Sequence, residues 1–407
     1  MTASPTPRTD TAQPHGPLAG PRVLDFTLQI AGPFCTKLLA DYGAEVIKIE
    51  RPAGDPARHI PALFQDEPDA EGSHFRLQHE QAQPHLDLKS DRGRRLALDL
   101  AVRADVVVES FRPGVMDRLG LGYEMLATLN PRLVMTSISN FGQSGPYRDL
   151  EASELVEYAM SGMMAISGSS EREPLKHGLS QAQYAAGINA AYMTAGLAYN
   201  QALGLPGQWI DVSVHEAVTS QMVANLPYYA WVGGIQGRRP ASGDGVNNLM
   251  RARDGWVVLQ TIGPREWSVF PEFLGVPELN DPKFADPRER LRHTHELDEL
   301  VGAALAKRDK RELFIDAAER RILFGVAQDP ADLLGCPQLN ARGFFIDIDH
   351  PRTGPLRYAG EPIKMSRTPW QLRRPAPLLG QHTDEVLSAE LGLSAEAIER
   401  LRVDGVV

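Results

Sequence analysis

The chain has 407 residues, 43% of them apolar and 23% charged, which is enough apolar content to bury a sizeable core and too much for a disordered chain. Its formal charge of 42 minus 52, or −10, comes with no basic stripe and argues against nucleic-acid binding; no run of eighteen apolar residues offers a membrane span. Two cysteines, Cys35 and Cys336, are too few for a disulfide framework or a zinc site, so no metal is expected and a reducing cytoplasm is the expected compartment.

The segment Met1 to Gly20 is rich in Pro, Thr and Gln without an apolar stretch, and reads as a loose tail over 1–19 rather than a signal peptide. Short β-like runs then alternate with helical stretches through the first 220 residues, the pattern of an α/β fold. Val23 to Thr27 is a predicted buried strand, and Gly32-Pro33 opens a helix over Phe34 to Tyr42 that stops at Gly43. Val46 to Glu50, Val106 to Glu109 and Val134 to Ser139 are further strands, with a helix over Arg92 to Arg103. Strands separated by helices predict a parallel, doubly wound sheet. No GxGxxG or GxxxxGKS sequence follows any of these strands, which argues against a dinucleotide or P-loop enzyme.

Near residue 230 the texture changes. Gly233 to Asn248 is a Gly/Asn/Pro-rich loop, Gly255 to Ile262 an apolar strand run, and Arg288 to Arg321 charged and helical. Strand-like pieces return at Gly343 to Ile348 and Pro355 to Arg357, and Ala389 to Val403 has the pattern of one closing helix. The predicted organisation is a large domain over 20–225, a smaller α+β domain with the Gly-rich loop over 226–325, and a return to the large domain over 326–407.

Four segments carry a family likeness: PLAGPRVLDFTLQIAGPFCTKLLADYGAEVIKIERP (Pro17 to Pro52), ADVVVESFRPGVMDRLGLGYEML (Ala104 to Leu126), NPRLVMTSISNFGQSGPY (Asn130 to Tyr147) and RRPAPLLGQHTDEVL (Arg373 to Leu387). Together they resemble the family III CoA-transferases, which include formyl-CoA transferase, the carnitine CoA-transferases and α-methylacyl-CoA racemase. The resemblance implies a Rossmann-like doubly wound large domain, a small domain and an interlocked dimer. It also implies a chemistry in which an aspartate carboxylate attacks an acyl-CoA thioester, forming a mixed anhydride and releasing the CoA thiolate.

In this chain Gln183 occupies the place of that aspartate, within Ser180 to Gly187. A primary amide is neutral and cannot form an anhydride, so no catalytic residue is expected at that position. Glu154 falls where the family commonly carries an acid and is the fallback nucleophile; Ser153 stands where the racemases have a His. The simpler role for Glu154 is a partly buried carboxylate held at a helix start. CoA contacts implied by the resemblance fall at Gln29, Ile30, Arg51, Ser110, Phe111 and Arg118, arginine being suited to bidentate phosphate contacts.

Other positions depart from the family pattern. Gln78 to Leu88 has lost the Asn, Arg and Lys of a basic strip, Ser110 replaces an Asn, and Glu151 stands where formyl-CoA transferase has a Lys. Losing two or three cations beside a polyanion costs several kcal/mol at about 1.5–3 kcal/mol per charged hydrogen bond. The expectation is weakened or lost CoA binding, with Arg51 and Arg118 serving ion pairs as the alternative.

His177, His215 and His382 have no metal-site companions and are expected to be structural, His382 as a capping or packing residue; Cys35 is expected in the core. Three functions remain open. One is a non-catalytic subunit paired with an Asp-bearing paralogue, as in the two-subunit succinyl-CoA:benzylsuccinate CoA-transferases, taking part in CoA transfer between an acyl-CoA such as succinyl-CoA and a carboxylic acid. Another is an active homodimeric transferase or racemase-like enzyme using Glu154. The third is a CoA-independent scaffold on the same fold.

Overall fold

The computed structural model describes residues 16–60, 81–238, 246, 248–260, 264–372 and 374–407. Contacts divide the chain into two units, one comprising 1–163, 176–224 and 344–407, the other 164–175 and 225–343.

The first unit is built on a five-stranded parallel sheet. Its strands are β1 (Arg22–Phe26), β2 (Glu45–Lys48), β3 (Val106–Glu109), β4 (Val134–Ser139) and β5 (Trp209–Ser213), in the order β2-β1-β3-β4-β5. Val23 lies opposite Val46 on one side and Val106 on the other. The helices in chain order are α1 (Ala31–Asp41), α2 (Asp91–Ala101), α3 (Val115–Leu119), α4 (Tyr123–Leu129), α5 (Glu154–Met160), α6 (Gln181–Ala202) and α7 (Val214–Thr219).

Alternation along the strands sorts side chains onto two cores, as a pleated strand requires. Leu24, Phe26, Val107 and Met135 face α2 and the C-terminal helices. Val23, Val106, Val108 and Val134 face α1 and α6. Both faces are therefore covered, which is why these strands are nearly continuous apolar runs. On α6 the residues that turn inward are Ala182, Ala186, Ala190 and Ala198, spaced by fours on one helix face. Small side chains let α6 lie close to α1: a Cβ at Gly187 would sit 2.6 Å from the Ala31 carbonyl oxygen.

The second unit has α8 (Asn225–Val232) and an antiparallel sheet of β6 (Leu249–Arg251), β7 (Trp256–Gln260) and β8 (Leu323–Val326), with helices α9 (Pro264–Leu274), α10 (Thr294–Leu305) and α11 (Lys310–Glu319). Leu297, Val301 and Leu305 of α10 pack with Phe270 and Phe273 in its core. By contacts this unit runs to Gly343, and β8 closes its sheet antiparallel to β7.

Back in the first unit, β9 (Phe345–His350) and β10 (Gly354–Ala359) form an antiparallel hairpin, followed by α12 (Thr383–Leu391) and α13 (Ala395–Val403). The single closing helix predicted over Ala389 to Val403 is thus two. Gly392 adopts φ +68 after α12, and Ser394 Oγ caps α13 by accepting from the Ala397 N–H at 3.3 Å, the usual way to end one helix and begin the next.

Candidate functional site

A sheet ordered 2-1-3-4-5 reverses its winding direction between β1 and β3. Ligands of doubly wound sheets bind outside the carboxyl ends of the strands at that reversal. Here that place is a cleft of about 610 Å³. Gln29 and Ile30 line it from the loop after β1, and Ser110 and Phe111 from the loop after β3. The two loops are tied together, since Ser110 Oγ accepts from the Leu28 N–H at 2.9 Å. Arg118, Glu154 and Gln183 line the same cleft. Five of the six residues the sequence assigned to CoA therefore converge, along with Gln183 and Glu154.

Arg51 is the exception. It is exposed in the turn after β2, donates from Nε to the Gly54 carbonyl at 2.8 Å, and does not line the cleft. Two other arginines, Arg112 and Arg148, do line it; Arg112 opens the RPG of the segment Ala104 to Leu126, and Arg148 directly follows the segment Asn130 to Tyr147. Arg112 pairs with Glu151 at 2.5 Å. Arg118 makes no ion pair among the described residues, and its guanidinium and that of Arg148 converge over Gly114, each 3.4 Å from where a Cβ would stand. Gly114 has φ +78, so any other residue there is strained as well as close to both cations. Two converging guanidiniums at a cleft wall are suited to an anion.

The first turn of α6 carries Gln183. Its amide Nε2 donates to Glu157 Oε2 at 2.6 Å. Glu157 is fully buried, and with the Asn140 amide turned to satisfy both its ends, Asn140 donates to Glu157 Oε1 at 2.8 Å. Burial, reinforced by the charge of Glu154 and opposed by the Gln183 hydrogen bond, pushes the Glu157 carboxyl up to about 7. Glu157 follows Glu154 by one turn of α5, a spacing that places both on one side of the helix; that spacing was the available signal for it.

Glu154 accepts from the backbone N–H groups of Ala182 at 3.1 Å and Gln183 at 3.2 Å, with Lys176 Nζ 3.6 Å away. It stands at the start of α5, but the N–H groups that hold it belong to the start of α6. A carboxylate there has its lone pairs engaged by two backbone donors and a cation, which leaves it less free to attack as a nucleophile.

The stretch expected as a stripped phosphate strip lies partly outside the described residues, at 78–80. The described part runs along β2 at the sheet edge, with Ala82 bridging Ile47. Gln81 and Gln83 are buried, and Gln83 accepts from Arg58 at 2.7 Å. The described positions of this stretch do not line the cleft. Of the Gly-rich loop, 239–245 and 247 lie outside the described residues.

Cys35 is buried in the α1 core, where burial raises its thiol pKa. His382 occupies the N-cap position of α12, and its Nδ1 accepts from the Gln83 N–H at 3.2 Å. His177 packs its ring 5.2 Å from Tyr158, and His215 lies 5.8 Å from Phe141. Among the described residues no group of three His, Cys, Asp or Glu could hold a metal, and no helix is long and apolar enough to cross a membrane.

Comparison with known proteins agrees with this geometry. The family model for CoA-transferase family III matches residues 18–383. The chain is 32% identical to succinyl-CoA–D-citramalate CoA-transferase of Chloroflexus aurantiacus, over 97% of this chain and 99% of that one. It is 31% identical to formyl-CoA:oxalate CoA-transferase of Streptomyces avermitilis, over 96% and 99%. A solved CaiB/BaiF family protein of Brucella suis superposes with a TM-score of 0.85 at 25% identity, covering 92% of this chain and all of that one. Matched along nearly its whole length and sharing the fold of a solved relative, the chain belongs to CoA-transferase family III.

Proposed function

We propose that this chain is a CoA-binding, non-nucleophilic subunit of a heteromeric CoA-transferase. In this reading an Asp-bearing paralogue carries out transfer of CoA between an acyl-CoA such as succinyl-CoA and a small carboxylic acid. Relatives named for citramalate, oxalate and glutarate support a dicarboxylic acceptor. The observation that carries the reading is the Gln183 amide at the nucleophile position, neutral and hydrogen-bonded to Glu157. The CoA half of the reading rests on the cleft at the β1/β3 reversal, with Arg118 and Arg148 converging on its wall. Binding is thus proposed to persist in spite of the residues replaced between 78 and 88.

Support for a partner chain comes from α6. Opposite its buried alanines, Ile188, Tyr192, Tyr199 and Leu203 form a stripe in which each is half or more exposed. Monomeric proteins rarely leave so long an apolar stripe uncovered. An interlocked arrangement, as the family resemblance implies, buries it, and leaves folded monomer scarce. The expected compartment remains the cytoplasm.

The test is purification alone and with an Asp-bearing paralogue. The lone chain binds CoA and shows no transfer; the co-expressed pair forms a heteromer with transferase activity. A second reading has Glu154 as nucleophile, favoured by its position in the same cleft. In that case the lone chain is active, Gln183→Ala is harmless and Glu154→Gln is dead.

A further inference from the structure

The loop between β1 and α1 forms one wall of the cleft, and Gln29 in it adopts φ +67, a conformation that a side chain other than glycine disfavours. Ile30, the N-cap residue of α1, makes no side-chain cap. Ser110 Oγ holds the Leu28 N–H from the side, and buried charged groups hold the loop from beneath. Asp55 Oδ1 accepts the Gln29 N–H at 3.0 Å and the Ala57 N–H at 2.8 Å. Lys48 lies 3.3 Å from the other Asp55 oxygen and donates to the Thr27 carbonyl at 2.5 Å. Asp25, 3.8 Å from Lys48, accepts the Thr27 N–H at 2.6 Å. Asp25, Lys48 and Asp55 are each fully buried.

Two carboxylates and one ammonium removed from water are costly, and a buried charge set of this kind is weak evidence for stability. What these three share is that each grips the backbone of the same short loop. We propose that Asp55 and Lys48 are positioning residues for the cleft. They hold Thr27 to Ile30 in its left-handed turn, so that the wall CoA meets is formed before CoA arrives and its ordering does not reduce the binding free energy. The inference rests on the reading of the cleft as the CoA site.

Two measurements test it, with the full chain and CoA itself as the probe. In the unsubstituted protein, hydrogen exchange resolved at the Gln29 amide is slow, comparable to the β1 amides, because the donor is paired to a buried carboxylate. Asp55→Ala removes the acceptor and speeds exchange at Gln29. It also lowers CoA affinity about tenfold or more by calorimetry at a temperature where the variant is folded. Asp55→Asn keeps an acceptor oxygen and retains affinity within about threefold. Merely structural residues lower the melting temperature and leave the affinity of the folded protein unchanged, and that result overturns the proposal. Fast exchange at Gln29 in the unsubstituted chain overturns it too, without need of any variant. An unsubstituted chain that binds no CoA removes the CoA reading by itself, and the exchange data still decide whether Asp55 holds the loop.

Discussion

A glutamine side chain reaches one methylene further than an aspartate, and at position 183 that reach ends on Glu157 rather than in open cleft. The pair has a titration consequence. Burial raises the Glu157 carboxyl to about 7 in the folded chain, while the unfolded chain titrates near the ordinary glutamate value of about 4.3. The folded state holds its proton more tightly, so the stability linked to that proton is fully present below about pH 4 and is lost as pH rises through 7. Glu157→Gln removes this dependence and keeps the hydrogen bond to Gln183. In urea denaturation the variant is predicted to gain on the unsubstituted protein by about 3 kcal/mol between pH 4.5 and pH 8. A gap between the two that does not change with pH contradicts the account. Glu157 was not singled out in the sequence: its one-turn spacing from Glu154 was the only signal for it, and spacing alone does not tell a buried partner from a solvated one.

At the scale of elements, legibility followed burial. Val106–Glu109 and Val134–Ser139 could be bounded to the residue because both sheet faces are covered and the strands are unbroken apolar runs. β5, with Trp209 and Asp211 exposed, lacks that run and was not predicted. The closing helices were merged because the Gly392–Ser394 stop-and-start signal was outweighed by the apolar periodicity on either side of it. Of the residues named for the site, those in the loops after β1 and β3 share one cleft, whereas Arg51 lies in the turn after β2, and the convergence of Arg118 with Arg148 depends on a fold across 30 residues. Arg118→Ala and Arg148→Ala are each predicted to weaken CoA about 10- to 100-fold, the worth of one charged hydrogen bond, and Arg51→Ala by less than about threefold; calorimetry with CoA separates them. The packing of α1 on α6 sets the same wall. Gly187→Ala puts a methyl 2.6 Å from a backbone oxygen, and is predicted to destabilise by about 1–3 kcal/mol in a thermal melt. A melt unchanged from the unsubstituted chain means that the helices part freely at that crossing.

For the whole molecule, the proposed function joins three observations: two guanidiniums converging on a cleft wall, the Gln183 amide in the same cleft, and an exposed apolar face of α6. On the proposed reading, the cleft and the apolar α6 face serve to complete a partner's assembly. Within such a heteromer Gln183→Asp here changes turnover little, because the carboxylate it introduces lies beside Glu154 and Glu157 and three acids in one site do not all ionise. The central claim is that acyl transfer never passes through a covalent bond to this chain. The most direct measurement is the intact mass of each chain after the co-expressed complex is incubated with succinyl-CoA and quenched with hydroxylamine or borohydride. The account predicts a stoichiometric modification on the Asp-bearing partner and an unchanged mass for this chain. A stoichiometric adduct on this chain, mapped by peptide mass to Glu154 or to any other carboxylate, contradicts it.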